Sequence, residues 1–310
     1  MEREINYYEI RTLNYVLGFS DGMLVKKEKK EYIKLFEYLA KYLYAINNLD
    51  DCLQKESKQS DIIWQCWWQG EENMPNLVKT CTESVKKHNK NHKIVIIDSN
   101  NYKDYISLPD YITDKYEKGI ITITQLSDII RLMLLEKYGG AWIDSTILET
   151  DTLPPETFTR EFFTYKNTLG LCFDKVKDMK DLEIMSNFLN RPMMLPSTWF
   201  ISSFSKNIVI SGWLRLLLEY WKYEEKLVDY FITDFFFVLL LLNNQICRQI
   251  FAEMPVYLTT YAEVLQSVMP EEFDAAIFEA VKSYSPIHKL TLKYTPDKSV
   301  PDRFYNRIIQ

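Results

Sequence analysis

The chain has 310 residues, 47% hydrophobic and 26% charged, enough apolar material for a full core, so a disordered, collagen-like or low-complexity polypeptide is excluded. Its length fits one large domain or two smaller ones, and 8 glycines and 11 prolines leave little material for long unstructured linkers. Acidic residues outnumber basic ones by 43 to 37, a net charge of −6, which argues against a nucleic-acid binder that works by neutralising phosphates; any phosphate contact has to be local.

Aromatic residues are abundant, with 21 Tyr, 17 Phe and 7 Trp, and such rings serve equally as ligand platforms and as core. The five cysteines, Cys52, Cys66, Cys81, Cys172 and Cys247, have neither a CxxC pair nor metal-type spacing. An odd number is a poor disulfide framework, so reduced thiols and a cytoplasmic location are expected. Residues 1–10 carry Glu2, Arg3 and Glu4 and lack the apolar run of a secretory signal.

In chain order, residues 1–60 form a helical, lysine-rich segment. Ile33, Phe36, Tyr38, Ala40, Leu43 and Ile46 recur mainly at helical intervals behind the basic run Lys26 to Lys30. Two uses fit it: packing on the body with a solvated basic face, or peripheral contact with an anionic membrane surface. From Asp61 the pattern becomes strand over 62–68, helix over 77–88 and strand over 93–97 closing at Asp98. A helix over 125–138 follows, then Gly139 and Gly140, then a strand over 141–144. This alternation is α/β grammar, and ligands of such sheets gather beyond the carboxyl ends of the strands, where Asp98 and Asp144 fall. The nucleotide-binding core is assigned to 61–160. An acceptor-side helical part with a closing tail is assigned to 161–310, with strands over 162–165 and 198–201 and helices over 208–223, 230–246, 261–268 and 273–281. The apolar run at 231–242 contains Asp234 and is too short for a membrane span of about 20 residues. After Ser285 an extended surface segment is predicted.

The stretch LSDIIRLMLLEKYGGAWIDST, residues 126–146, is the most informative. Asp128 and Arg131 lie three residues apart on one helix face, so an acid and a base project together. Alone, that spacing is an ordinary surface ion pair. The stretch resembles the nucleotide-sugar motif of the capsular polysaccharide synthesis glycosyltransferases and of the wider group of DXD sugar-binding transferases. IIWQCWWQGEENMPNLVKTCTESVKKH, YFITDFFF and PIHKLTLKY resemble further segments of that family.

The resemblance implies a GT-A type, Rossmann-like sheet with helical N-terminal and C-terminal additions, and a nucleotide-sugar donor. It implies that Asp128 and Arg131 touch donor sugar and phosphate, with Trp142 in the same motif. Asp144 matches the first Asp of DXD, but Thr146 stands where the second belongs, so a divalent cation (Mn2+ or Mg2+) is expected to be held weakly by Asp144, Thr146 and His288, the donor phosphates supplying further oxygens. His288 and Lys289 are expected at the leaving diphosphate, and Trp64 and Gln65 at the base; core packing is the competing use of each tryptophan in the first strand. Asp151 is a further acid off the motif's spacing. Trp199, Ser202 and Ser203 are candidates on the acceptor side. Asp234 is an acid in an apolar helix, which costs free energy unless it is paired, so it either joins a structural network or meets a substrate hydroxyl.

The expected activity is transfer of a hexose from a nucleotide diphosphate sugar, UDP-hexose first, to a bacterial surface glycan or lipid-linked oligosaccharide, with retention, at the inner face of the plasma membrane. Two rivals stand beside it, a toxin-like protein glycosyltransferase and a silent sugar-nucleotide-binding scaffold. GxSxG, HExxH, GxGxxG and GxxxxGK[ST] are all missing from the chain, so the hydrolase, zinc-protease, dinucleotide and P-loop readings lack their minimal parts.

Overall fold

The computed structural model describes residues 34–54, 57–167, 195–293 and 303–309. The basic run at 26–30, on which the membrane reading rests, lies outside them. Within 34–54 the chain is helical, passing into tight turns at Ala40–Ile46 and Leu49–Gln54. Phe36, Leu39, Tyr42, Leu43 and Ile46 are buried, whereas Tyr38 faces solvent and donates its hydroxyl to Glu224.

Strands β1 (Ile62–Cys66), β2 (Lys93–Ile97) and β3 (Gly140–Ile143) run parallel with β1 in the middle. Helix α1 (Asn76–His88) links β1 to β2, and α2 (Asp110–Glu117) and α3 (Ile123–Tyr138) lead back to β3 on the other side of β1. The chain therefore reverses its winding at β1, the kind of switch point at which α/β sheets place ligands beyond the carboxyl ends of their strands. Strand β1 stops two residues short of its predicted end; the Trp67 amide still bonds the Ile97 carbonyl, and the chain then turns at Gly70, whose φ is 90°.

Helix α3 starts at a reciprocal Thr122–Gln125 capping box and stops at Gly139 and Gly140, with φ of 70° and 92°. A Cβ on Gly140 would sit 2.2 Å from the Ile62 carbonyl oxygen, and one on Gly139 would sit 2.6 Å from the Ser205 nitrogen. Only glycine serves here, and the pair sets β3 directly against its neighbours.

After β4 (Ile147–Glu149) and the short α4 (Glu156–Thr159), strands β5 (Phe162–Asn167) and β6 (Leu195–Ser203) join antiparallel to complete a five-stranded sheet of order β2-β1-β3-β6-β5. The fold is thus a mixed α/β sheet with helices around it. The expected division at 160 falls between strands of this one sheet, in which β6 pairs directly with β3.

The predicted single helix over 230–246 is two: α6 (Ile232–Asn243) and α7 (Gln245–Glu253), bent by 109°. Asn244 breaks the run with φ −130° and ψ 117°, and its side chain caps α7 through the Cys247 amide. Helix α6 packs against α5 (Ile208–Tyr223), β6, α7 and the Ala40–Ile46 turns. Among the described residues no single helix is long and apolar enough to cross a membrane.

The described parts of the tail after Ser285 contain regular elements where an extended segment is predicted. Strand β7 (Ile287–Lys289) pairs antiparallel with β4, and the short α10 (Phe304–Ile308) closes a second apolar core with α8 (Thr259–Val268) and α9 (Ala275–Tyr284). Leu77 and Cys81 of α1, Leu148 of β4 and Leu290 enter that core. Burying these side chains fixes β7 against the main body.

Glu149 of β4 is 2% exposed, and its Oε2 accepts from Asn89 Nδ2 at 2.6 Å. Burial pushes its carboxyl up to about 8, against the Asn89 hydrogen bond and with help from the Asp151 charge. The folded state therefore holds a proton that the unfolded chain releases near the ordinary glutamate value. Stability from this group is full below that value and falls as pH rises towards about 8. Glu149→Gln mimics the protonated form, so its melting-temperature advantage over wild type should be small near about pH 5 and grow towards about pH 8. A constant difference across that range would contradict the assignment.

Candidate active site

At the carboxyl edge of β3, four charged side chains from three elements meet. Arg131 Nη1 donates to Asp128 Oδ1 at 2.5 Å, one turn back on α3, and Arg131 Nη2 donates to Asp144 Oδ1 at 3.2 Å, just past β3. Lys289 Nζ, from β7, donates to Asp144 Oδ2 and to Thr146 Oγ1, each at 2.8 Å. Trp142 Nε1 donates to Asp144 Oδ1 at 2.8 Å, and the guanidinium carbon lies 4.8 Å from the Trp142 ring centre. From α6, Thr233 Oγ1 donates to Asp128 Oδ2 at 2.9 Å. Apart from Arg131, whose side chain is 6% exposed, the ionic members keep a solvent-facing portion.

The electrostatics divide the acids. Burial raises Asp144, but Lys289 and Arg131 outweigh it and bring the carboxyl down to about 2, so it is a firm carboxylate. Burial pushes Asp128 up against the pull of Arg131. Asp234, in the first turn of α6, is pushed up to about 7 by burial and by the Asp128 charge, with Arg131 opposing. Arg131 Nε is buried and has no hydrogen-bond partner, although its two terminal nitrogens are engaged. A buried donor without an acceptor is costly.

Of the predicted residues, Asp128, Arg131, Trp142, Asp144, Thr146 and Lys289 come together, and Asp234 shares their electrostatic field. Others do not join them. His288 precedes Lys289 on β7 and so points to the opposite face; it is fully buried and its Nε2 lies 3.1 Å from Thr150 Oγ1. Burial and the Lys282 charge lower it to about 4, so it is neutral and not a counter-charge. Trp64 is a core residue: its Nε1 donates to the Gly139 carbonyl and its ring packs against Tyr105 and Tyr138. Gln65 is fully buried with neither amide atom hydrogen-bonded. Asp98 receives the amides of Asn100 and Asn101 as a turn cap, and Asp151 receives that of Thr152. Trp199 packs on Tyr165, and Ser202 and Ser203 are buried. A surface cavity of ≈ 490 Å³ beside α2, lined by residues including Tyr102, Ile106 and Asp110, contains no member of the cluster.

Thr233 is the member that sequence reasoning missed. Its one local signal is adjacency to Asp234, since the partner lies 105 residues away. The expected divalent cation does not fit the residues present. Both oxygens of Asp144 are engaged, Thr146 Oγ1 already accepts from Lys289, and among the described residues no three His, Cys, Asp or Glu side chains gather as ligands. Mn2+ and Mg2+ favour several oxygen donors, whereas the Asp-Ser-Thr triplet offers one carboxylate, already facing an ammonium.

The profile of the capsular polysaccharide synthesis protein family matches residues 19–308, and the chain belongs to that family. The O-glycosyltransferase braB of Annulohypoxylon truncatum is 23% identical over 171 residues, which span 51% of this chain and 37% of that protein. The solved structure of PaToxG Glycosyltransferase aligns with 82% of this chain and 92% of its own, at 15% identity and a TM-score of 0.38.

Arg131 bridges two carboxylates, so removing its charge leaves Asp128 without a cation and Asp144 with Lys289 alone. Arg131→Met should lose roughly 3–5 kcal/mol of folding stability in urea titrations, the usual cost of breaking a buried pair from one side. Arg131→Lys keeps the charge but not the fork and should fall between Met and wild type. A Met variant as stable as wild type would show that the cluster is not coupled.

Proposed function

We propose that the chain is a glycosyltransferase that moves a hexose from a nucleoside diphosphate sugar, UDP-hexose, to a hydroxyl of a bacterial surface glycan. The observation that carries this reading is the cluster itself: Arg131 between Asp128 and Asp144, and Lys289 on Asp144 and Thr146, at the carboxyl edge of an α/β sheet, with the Arg131 Nε donor unsatisfied. Membership of the capsular polysaccharide synthesis family and the resemblance to a protein named as an O-glycosyltransferase support it.

In this reading the bond from the anomeric carbon to the diphosphate oxygen breaks with its electron pair staying on oxygen. Arg131 and Lys289 face the charge that develops there, and such preorganised cations act most strongly where water is excluded. The acceptor oxygen bonds the anomeric carbon from the same face, its proton passing to the departing diphosphate, so configuration is retained and no covalent enzyme intermediate is needed. Asp128 receives hydroxyls of the donor sugar. Asp234, at the start of α6, orients the attacking hydroxyl. The acceptor is a lipid-linked capsular or lipopolysaccharide intermediate, reached at the cytoplasmic face of the membrane.

A thermal-shift panel of UDP-, GDP- and CDP-hexoses tests the donor, because a ligand of the native state raises the melting temperature in proportion to its affinity and concentration. UDP-hexose should give the largest rise and should be hydrolysed slowly without acceptor. Asp128→Asn should lower that hydrolysis by at least about tenfold, roughly 1.4 kcal/mol of barrier. A panel in which no sugar nucleotide shifts the melting point or is turned over would overturn the reading.

A further inference from the structure

We propose that Lys289 is the resident cation of this site: its ammonium takes the place of a divalent ion, so that the diphosphate is bound and released without added metal. The inference rests on the reading of the donor as a nucleoside diphosphate sugar, and it reverses the metal expected from the DXD resemblance.

Three observations carry it. The ammonium lies 2.8 Å from both Asp144 Oδ2 and Thr146 Oγ1, the two side chains at the first and third positions of the Asp-Ser-Thr triplet. A single positive charge thus sits where those positions would grip an ion. The charge count agrees with this placement. Two carboxylates with a divalent ion sum to zero, and so do one carboxylate, one hydroxyl and one ammonium. An aspartate at 146 would leave the ammonium-bridged triplet negative, in the path of an anionic substrate.

The backbone also holds Lys289 in position. Its strand pairs Ile147 with Lys289 in register, and the Leu290 amide donates to the Thr146 carbonyl at 2.9 Å. Leu290 itself is 1% exposed in the second core. The ammonium is therefore delivered by a fixed strand and not by a free surface side chain, and no reorganisation is needed as charge develops on the leaving group. Of its three N–H donors, two hold Asp144 and Thr146, and the third serves a phosphate oxygen. Lys289 does not form or break bonds. It holds the diphosphate oxygen that keeps the electron pair when the anomeric bond breaks.

The test is calorimetric titration of UDP, GDP and CDP into the full chain, with EDTA or with Mn2+. Wild type should bind its preferred nucleotide equally in both. Lys289→Gln should weaken binding by at least about tenfold, roughly 1.4 kcal/mol, with or without Mn2+, and Lys289→Arg should restore most of it. The double variant Lys289→Gln with Thr146→Asp should regain affinity only when Mn2+ is present. Melting curves of each variant confirm that it folds. If wild-type binding strengthens about tenfold on adding Mn2+, or if Lys289→Gln binds as wild type does, the inference fails while the donor reading stands. If no nucleoside diphosphate binds under either condition, both fail together.

Discussion

Two carboxylates, Asp128 on a helix and Asp144 past a strand, are kept within reach of one guanidinium, and the local architecture follows from that constraint. Like charges this close repel unless a cation lies between them. Arg131 satisfies both only because α3 runs straight into β3 through Gly139 and Gly140, whose positive φ values and close backbone neighbours admit no side chain. The helix contributes the acid and the base at one-turn spacing, and the strand contributes the second acid. Trp142 buttresses the junction, its indole N–H on Asp144 and its ring beneath Arg131.

The remaining contributors arrive from distant parts of the chain. Helix α6 brings Thr233 to Asp128 and presents Asp234 in its first turn, where the helix N-terminus favours a negative charge that burial disfavours. The C-terminal part brings Lys289 through the β4–β7 pairing and the second apolar core. A cluster of two acids and two bases is thus close to neutral before any substrate arrives, yet it keeps an unsatisfied buried donor in Arg131 Nε.

The local parts were legible in the sequence and the long-range parts were not, for physical reasons. The bounds of α1, β2, α3 and α5 were legible because apolar period, caps and glycine punctuation all agree there. The triplet Asp-Ser-Thr was legible as a departure from DXD, and Asp128 and Arg131 were legible as a pair, because both signals lie within a few residues. By contrast, β4 is only three residues long and its partner lies about 140 residues away, so no periodicity announces it. Which of His288 and Lys289 faces the cluster is decided by the register of that short pairing, and a slip of one residue would exchange them. The break at Asn244 was hidden because no glycine or proline marks it. Trp64 belonged to the core because Trp64 pairs with Trp142 across β1 and β3 and the helix α3 covers that face.

The account stands most directly on where a sugar nucleotide settles. A crystal structure of the chain with a non-hydrolysable UDP-hexose should show the diphosphate oxygens within hydrogen-bonding distance of Arg131 and Lys289, with the hexose beside Asp128. A diphosphate bound elsewhere, with the four charged side chains still closed upon one another, would contradict it.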